Sequence, residues 1–261
     1  RLWVAAGDYR DDVRIGDEIL LGLAEGYRKI RNTLRFALGN LADFDPAKDQ
    51  VAAAELEPLD RWALAKLAAW DEKVKAAYED YEFHVAYHAT MQLCAVDLSA
   101  IYFDIVKDRL YTWKKTGKAR RSAQTVLWII AQDVIRLLAP VLSFTASEAW
   151  GFLPGRPVES VFLAGLPSRE RPKDADALEA RYGQLLDVRA VVQGKLEEAR
   201  RAKLIGSGLE AQVTVRAEGE TLKLLEEAKA ELPALFIVSK VTVEKGRLAA
   251  EVARAPGVKC D

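Results

Sequence analysis

The chain has 261 residues, half of them hydrophobic, which is enough to bury a sizeable core in one large or two modest domains. Its 38 basic and 39 acidic side chains nearly cancel, so the overall basic excess common in nucleic-acid-binding proteins is absent and any such site must be local. The sequence shows no membrane-spanning run and no basic and apolar leader, and its two cysteines are far apart, which together predict a cytoplasmic protein without a membrane partner.

Hydrophobic residues spaced three and four apart predict a series of amphipathic helices in residues 1–150. Asp17 and Pro58 are typical of helix starts, and Pro140 stops the last helix. The predicted helices run from Asp17 to Gly39, from Pro58 to Tyr78, from Phe83 to Leu98, from Ser99 to Tyr111 and from Arg120 to Ala139. Five long helices in sequence indicate an antiparallel bundle.

Residues 151–173 are rich in proline, which predicts a linker between the helical domain of residues 1–150 and a smaller domain of residues 174–261. The elements predicted for the smaller domain are a helix from Asp174 to Leu204, a strand from Ala211 to Val215, a helix near Glu220 to Glu231, and strands at residues 235–243 and 248–253. The predicted fold is therefore mainly α, an antiparallel helix bundle followed by a small α/β subdomain.

One basic pattern lies on the first long helix, where Arg28, Arg31 and Arg35 are spaced three and four residues apart and share a face. Guanidinium groups in a row repel each other unless an anion lies across them, and their planar fork matches phosphate oxygens. The stripe is therefore either a phosphate-binding surface or a set of partners for acidic residues on a neighbouring helix or domain.

The densest basic cluster lies between the predicted fourth and fifth long helices. Its members are Lys107, Arg109, Lys114, Lys115, Lys118, Arg120 and Arg121, with Trp113 among them. Basic side chains beside an aromatic ring and a helix amino terminus favour binding of nucleic-acid phosphates and unpaired bases. The alternative is a solvated basic loop whose aromatic side chains are buried.

The two histidines, His84 and His88, are four residues apart on a predicted helix. Two ligands do not make a structural zinc site, and the sequence shows no set of nucleophile, base and orienting acid. We therefore predict neither a metal site nor a catalytic site in this chain. A small metalloenzyme built on these histidines is the alternative.

Several segments, spread in order over most of the chain, share their sequence with one enzyme family. They include RLWVAAGDY at residues 1–9, YRKIRNTLRF at 27–36, KDRLY at 107–111, RRSAQ at 120–124 and LAPVLSFT at 138–145. These segments closely resemble the bacterial-type isoleucyl-tRNA synthetases, which are class I aminoacyl-tRNA synthetases. Valyl- and leucyl-tRNA synthetases, which share a helical anticodon domain, are the alternative within the class.

The resemblance implies that the bundle is the anticodon-binding domain of an enzyme that attaches isoleucine to its tRNA with ATP and magnesium. The catalytic and editing domains would precede Arg1, and their motifs, His-Ile-Gly-His and Lys-Met-Ser-Lys-Ser, are not in the sequence. The chain itself is therefore expected to be inactive and to need no cofactor. Its implied partners are isoleucine tRNA and the other domains of a monomeric parent chain.

Residues 258–261 resemble the first step of a four-cysteine zinc module found at the end of bacterial members of the family. Cys260 would be a zinc ligand in the full-length protein, but one thiolate cannot hold a structural zinc ion. The opening at Arg1 and the stop just after Cys260 suggest a carboxy-terminal piece of a longer protein.

The resemblance favours tRNA contact by the basic cluster, with phosphate positioning expected more than base reading. Trp113 is either a platform for an unpaired anticodon base or a buried side chain. From a different class, a helical module that binds protein rather than RNA is the remaining alternative, since the near-neutral charge allows it.

Overall fold

The structure, a computed structural model, describes residues 1–256 and separates into two compact units, Arg1–Ala175 and a second unit that begins at Asp176. The first unit is helical, and the second combines helices with a three-stranded sheet. The predicted fold class, a helix bundle followed by a small α/β subdomain, is confirmed.

The helical unit contains seven α-helical segments among its described residues, of which the first, with five residues, is the shortest. They are α1 (Leu2–Ala6), α2 (Asp17–Gly39), α3 (Pro58–Glu79), α4 (Phe83–Met91), α5 (Asp104–Thr112), α6 (Lys118–Leu138) and α7 (Ser143–Gly151). The helix α6 lies at the centre, where Leu127, Ile130 and Ile135 are completely buried. Trp62 on α3 fills the same core, so that burial of apolar side chains rather than helix propensity holds the bundle together.

The predicted division between a third and a fourth helix near Leu98 is wrong. Residues Phe83–Thr112 form one continuous helix of 30 residues, in which the stretch Gln92–Phe103 between α4 and α5 is π-helical. The carbonyl oxygen of Cys94, in this stretch, accepts hydrogen bonds from the hydroxyls of Thr33, at 3.2 Å, and Ser99, at 2.6 Å. The two hydroxyls thus provide hydrogen-bond donors for the Cys94 carbonyl in the π-helical stretch, whose turns are wider than those of an α-helix.

The helix Phe83–Thr112 is, within the part of the chain that the structure describes, the one helix long and apolar enough to cross a membrane. In the structure it packs against α2 and α3 as a central helix of the bundle, and Leu93, Leu98 and Phe103 are buried there. Its apolar composition is therefore explained by burial in the core.

Residues 151–173, which the prolines predict to be a linker, belong to the first compact unit. The indole nitrogen of Trp128 on α6 donates a hydrogen bond of 2.9 Å to the carbonyl of Pro154. Further along α6, the guanidinium of Arg136 donates to the three carbonyls of residues 164–166 at 2.8–3.0 Å. Both contacts hold the segment against the bundle.

The helix α8 (Ala175–Arg201) begins at the last residue of the first unit and otherwise belongs to the second. The second unit further contains β1 (Ala211–Ala217), α9 (Gly219–Glu227), α10 (Leu232–Phe236), β2 (Lys240–Lys245) and β3 (Ala249–Arg254). The central strand is β1, which pairs in parallel with β2 and antiparallel with β3. The strand predicted for residues 235–243 is wrong in its first half, because Pro233 lies in the first turn of α10 and favours a helix start.

Candidate nucleic-acid interface

The basic cluster lies at the junction between α5, which ends at Thr112, and α6, which begins at Lys118. The intervening residues 113–117, which we call the basic loop, close in a tight turn, because the Gly117 N–H donates to the carbonyl of Lys114 at 2.8 Å. A Cβ atom at Gly117 would lie 3.0 Å from that carbonyl oxygen, so glycine permits the turn without displacing it.

Arg109, on α5, points into the bundle. Its guanidinium makes two hydrogen bonds to the carboxylate of Asp60, at 2.9 and 3.1 Å, and Asp60 is completely buried. It also donates to the carbonyl of Ala119 at 3.3 Å. Asp60 accepts further hydrogen bonds from the hydroxyls of Tyr102 and Ser122, so this carboxylate is the centre of a buried polar network.

Arg120, on α6, is also buried and is held from the other side of the junction. Its guanidinium makes a bidentate pair with the carboxylate of Asp43, at 2.8 and 3.0 Å. The same side chain donates to the carbonyls of Leu110, at 3.0 Å, and Lys115, at 3.1 Å. Arg120 therefore contacts the end of α5, the basic loop and the residues that follow α2.

Arg121 is the third arginine of the junction that is directed to protein groups. It donates to the carbonyl of Asp43 at 2.8 Å and lies 3.3 Å from the carboxylate of Asp49. Only 13% of its side chain is exposed. RNA contact by Arg109, Arg120 and Arg121 stays a prediction, whereas their hydrogen bonds favour a structural role.

The lysines of the cluster face solvent. Lys107 pairs with Asp104 at 3.1 Å and Lys118 lies 3.4 Å from Glu55, but both pairs are exposed and therefore weak. Lys114 and Lys115 are exposed and have no side-chain partner among residues 1–256. These four lysines are the basic side chains of the cluster that an anion in solution can reach.

Trp113 is half exposed, so the alternative that it is a buried side chain is wrong. Its indole nitrogen donates to the carboxylate of Asp108 at 3.2 Å, and Asp108 also accepts from the hydroxyl of Thr112 at 3.0 Å. The polar edge of the ring is therefore occupied inside the protein. What remains for a partner is aromatic surface, which suits stacking on a base rather than reading its hydrogen-bonding edge.

The arginine stripe on α2 is divided among three environments. Arg28 pairs with Glu25 on its own helix at 2.7 Å, and Arg31 makes two hydrogen bonds of 2.9 Å to Glu148 on α7. Arg35 is exposed and has no side-chain partner in the described part of the chain. Only Arg31 has an acidic partner on a neighbouring helix, as the alternative interpretation of this stripe predicts. The pairs of Arg28 and Arg31 are exposed and therefore weak, and Arg35 is the one arginine of the stripe that needs to give up no partner in the described residues to bind an anion.

Within residues 1–256, the two histidines and Cys94 do not form a cluster of potential metal ligands. His84 lies 3.7 Å from Asp8, and His88 contacts the ring of Tyr87. No group of three potential metal-binding side chains was found from Arg1 to Pro256, and Cys260 lies outside the described residues. Burial raises the pKa of the Cys94 thiol to about 12, which makes it a poor nucleophile.

The pair between Arg120 and Asp43 predicts a pH-dependent contribution to stability. Hydrogen bonds from Arg120 lower the pKa of Asp43 to about 2. A carboxylate with a lowered pKa stabilises the fold above its unfolded pKa of about 4, and this contribution is lost as the pH falls toward the folded value. We expect Asp43→Asn to lower the urea midpoint at pH 7, with a difference that shrinks steadily between about pH 4 and pH 2. A difference that does not change with pH would contradict the ionic pair.

Comparison with known proteins supports the resemblance seen in the sequence. Residues 60–215 match the family model described as the anticodon-binding domain of tRNA ligase. The isoleucine–tRNA ligase of Geobacter sulfurreducens is 48% identical over 273 aligned residues, with 100% of this chain and 30% of the relative covered. That of Syntrophotalea carbinolica is 52% identical over 242 residues, covering 92% of this chain and 26% of the relative.

The chain spans about 30% of the length of the curated relatives that it matches in full, such as the isoleucine–tRNA ligase of Moorella thermoacetica, to which it is 46% identical. The family model covers the greater part of the chain, from α3 through β1. The chain therefore belongs to the family of anticodon-binding domains of tRNA ligases.

Proposed function

We propose that this chain binds isoleucine tRNA at its anticodon arm, as the RNA-binding part of a cytoplasmic, monomeric isoleucine–tRNA ligase. The observation that carries the proposal is the basic loop, on which the half-exposed ring of Trp113 stands beside the unpaired ammonium groups of Lys114 and Lys115. Cations next to an aromatic surface suit single-stranded RNA, in which the phosphates and the faces of unpaired bases are both accessible.

The lysines position the RNA rather than read its sequence. An ammonium group on a flexible stem acts as a point charge toward phosphate and discriminates little between bases. Lys107 and Lys118 flank the basic loop and can exchange their exposed acidic partners for phosphate at small cost, since such surface pairs are weak. The free amide groups in the first turn of α6 add a partial positive charge on the same side.

Catalysis belongs to other domains of the proposed parent enzyme. The motifs that bind ATP in class I synthetases are absent from this sequence, so ATP and magnesium would act in the catalytic domain. Zinc would be held by the module to which Cys260 belongs. Within the proposed enzyme, this chain holds the anticodon arm while the acceptor end of the tRNA enters the catalytic domain.

The proposal is tested by titrating the chain with an isoleucine tRNA transcript at several salt concentrations, and with the same tRNA carrying an exchanged anticodon. Replacing Lys114 and Lys115 with alanine together should weaken binding and flatten the logarithmic salt dependence by about 1.4, since each contact to single-stranded phosphate contributes about 0.7. The native anticodon should be preferred by the unmodified chain.

A matched control is the double variant Lys73→Ala, Lys229→Ala. It removes two exposed lysines outside the basic loop and so loses the same number of positive charges as the Lys114→Ala, Lys115→Ala variant. This variant should keep the salt dependence of the parent chain. Equal losses in both double variants would mean that only overall charge matters. RNA binding indifferent to the anticodon and to salt would contradict the proposal and favour the protein-interaction alternative.

A further inference from the structure

We propose that Arg109 and Arg120 act as a crossed clamp that fixes the basic loop in its RNA-binding conformation, as positioning residues that do not themselves touch RNA. We call Arg109, Arg120 and their carboxylate partners Asp60 and Asp43 the arginine clamp. The inference rests on the proposed function of the basic loop, and it assigns to two buried arginines a role that exposure and charge alone do not suggest.

The two arginines reach across the junction in opposite directions. Arg109 starts on α5 and donates to the carbonyl of Ala119 in the first turn of α6. Arg120 starts on α6 and donates to the carbonyl of Leu110 in the last turn of α5. The last carbonyls of a helix have no partner within the helix, so the bond to Leu110 also satisfies a group that the end of α5 leaves open.

A third hydrogen bond connects the clamp directly to the basic loop. The guanidinium of Arg120 donates to the carbonyl of Lys115 at 3.1 Å, and this bond holds the backbone of the loop against the bundle. The side chains of Lys114 and Lys115 meanwhile remain exposed. The clamp thus restrains the backbone that carries the proposed RNA contacts and leaves the contacting groups free.

Each arginine is itself held in place by a bidentate carboxylate. Asp60 belongs to α3, and Asp43 lies in the turn that follows α2, so the clamp ties the junction to two further parts of the bundle. A guanidinium can bridge a carboxylate and backbone carbonyls at the same time, because its donors point outward in one plane. A lysine ammonium at the same place cannot reproduce these bonds together.

Direct RNA contact by the two arginines is disfavoured by their surroundings. Only 13% of the Arg109 side chain and 11% of the Arg120 side chain are exposed. Turning either group toward RNA would leave a carboxylate without its partner, one of them completely buried, and this costs more than a surface phosphate contact returns. The benefit of the clamp is a loop already ordered before binding, which reduces the entropy lost on association.

The first test is hydrogen exchange in the 261-residue chain without RNA, read at the backbone amide of Gly117, which is hydrogen-bonded to the carbonyl of Lys114 and so reports opening of the basic loop. Arg120→Lys should speed exchange there about tenfold, because local opening becomes easier when the bonds to Leu110 and Lys115 are lost. The matched control is Arg136→Lys, since Arg136 lies on the same helix and likewise bonds three backbone carbonyls, but of residues 164–166. It should leave exchange in the basic loop unchanged.

The second test is a double-mutant cycle measured by titration with the isoleucine tRNA transcript. Arg120→Lys alone should weaken binding about tenfold. Without the clamp the basic loop is not held before binding, so Trp113, Lys114 and Lys115 must be ordered when the RNA binds. In the Lys114→Ala, Lys115→Ala background the same change should have a much smaller effect, since the contacts that it positions are already gone. Effects that simply add would overturn the clamp, because they indicate direct contact or general loss of structure.

Asp43→Asn provides a second variant if Arg120→Lys folds poorly, because it keeps the size of the side chain and removes the negative charge that holds Arg120. It should speed exchange of the loop in the same direction. Unchanged exchange in both variants would overturn the clamp whatever the RNA titration shows. Failure of the unmodified chain to bind the transcript would instead refute the proposed function and leave the exchange result to decide whether the arginines order the loop.

Discussion

Asp60→Ala is expected to lower the free energy of unfolding of the helical unit by about 3–5 kcal/mol, the usual cost of removing one partner of a buried ion pair. The carboxylate of Asp60 is completely buried, and it accepts hydrogen bonds from Arg109, Tyr102 and Ser122. Its loss leaves a charged group and two hydroxyls without their acceptor inside the core, where water cannot replace it.

Urea unfolding followed by tryptophan fluorescence measures this effect in the helical unit alone, because all six tryptophans lie between Trp3 and Trp150. Asp80→Ala, at the exposed end of α3, is the control and should change the unfolding free energy by less than about 0.5 kcal/mol. Asp60→Asn should fall between the two, since it keeps the shape and part of the hydrogen bonding. A loss below about 1 kcal/mol for Asp60→Ala would contradict a paired Arg109 in the core.

Trp113→Ala is expected to weaken binding of the isoleucine tRNA transcript by about 1–3 kcal/mol, the contribution of one base stacked on an aromatic side chain. The indole is half exposed and its nitrogen is held by Asp108, so its orientation is fixed before RNA arrives. The salt dependence of binding should not change, because no charge is removed. Fluorescence-based or filter-binding titrations at two salt concentrations measure both quantities.

Phe144→Ala is the matched control for this change, because Phe144 is a more exposed aromatic side chain of the same unit, on α7. It should leave the affinity for RNA unaltered. Trp113→Phe should retain part of the affinity, since a smaller ring still stacks. Equal affinity for the Trp113→Ala variant and the parent chain would mean that the ring does not meet a base, and binding by the lysines alone would then account for the interaction.

The helix boundaries that the sequence predicts best are those with a local chemical signal. Asp17 and Pro58 each begin a helix as expected, because an acidic residue or a proline in the first turn acts on its own helix. The missed continuity across Leu98 has no such signal, since an apolar stretch without glycine or proline does not reveal a change from α-helical to π-helical geometry. The order of the three strands likewise depends on pairing between distant segments.

The position of the basic cluster could be predicted from the sequence, but the roles of its members could not. Arg109 and Lys114 are equally basic in the sequence, yet one is buried against Asp60 and the other is exposed. The acidic partners decide this difference, and they come from α3 and from the turn after α2, far from the cluster along the chain. Only the folded structure brings Asp43 and Asp60 to the junction.

The π-helical stretch Gln92–Phe103 also sets the direction in which the basic loop leaves the bundle. An α-helix turns by about 100° per residue, so one residue gained or lost in this stretch would rotate all of α5 about its axis. Arg109 would then no longer face Asp60, and the loop would point elsewhere. The direction of this surface is thus set by the length of a helical segment that itself carries none of the proposed RNA contacts.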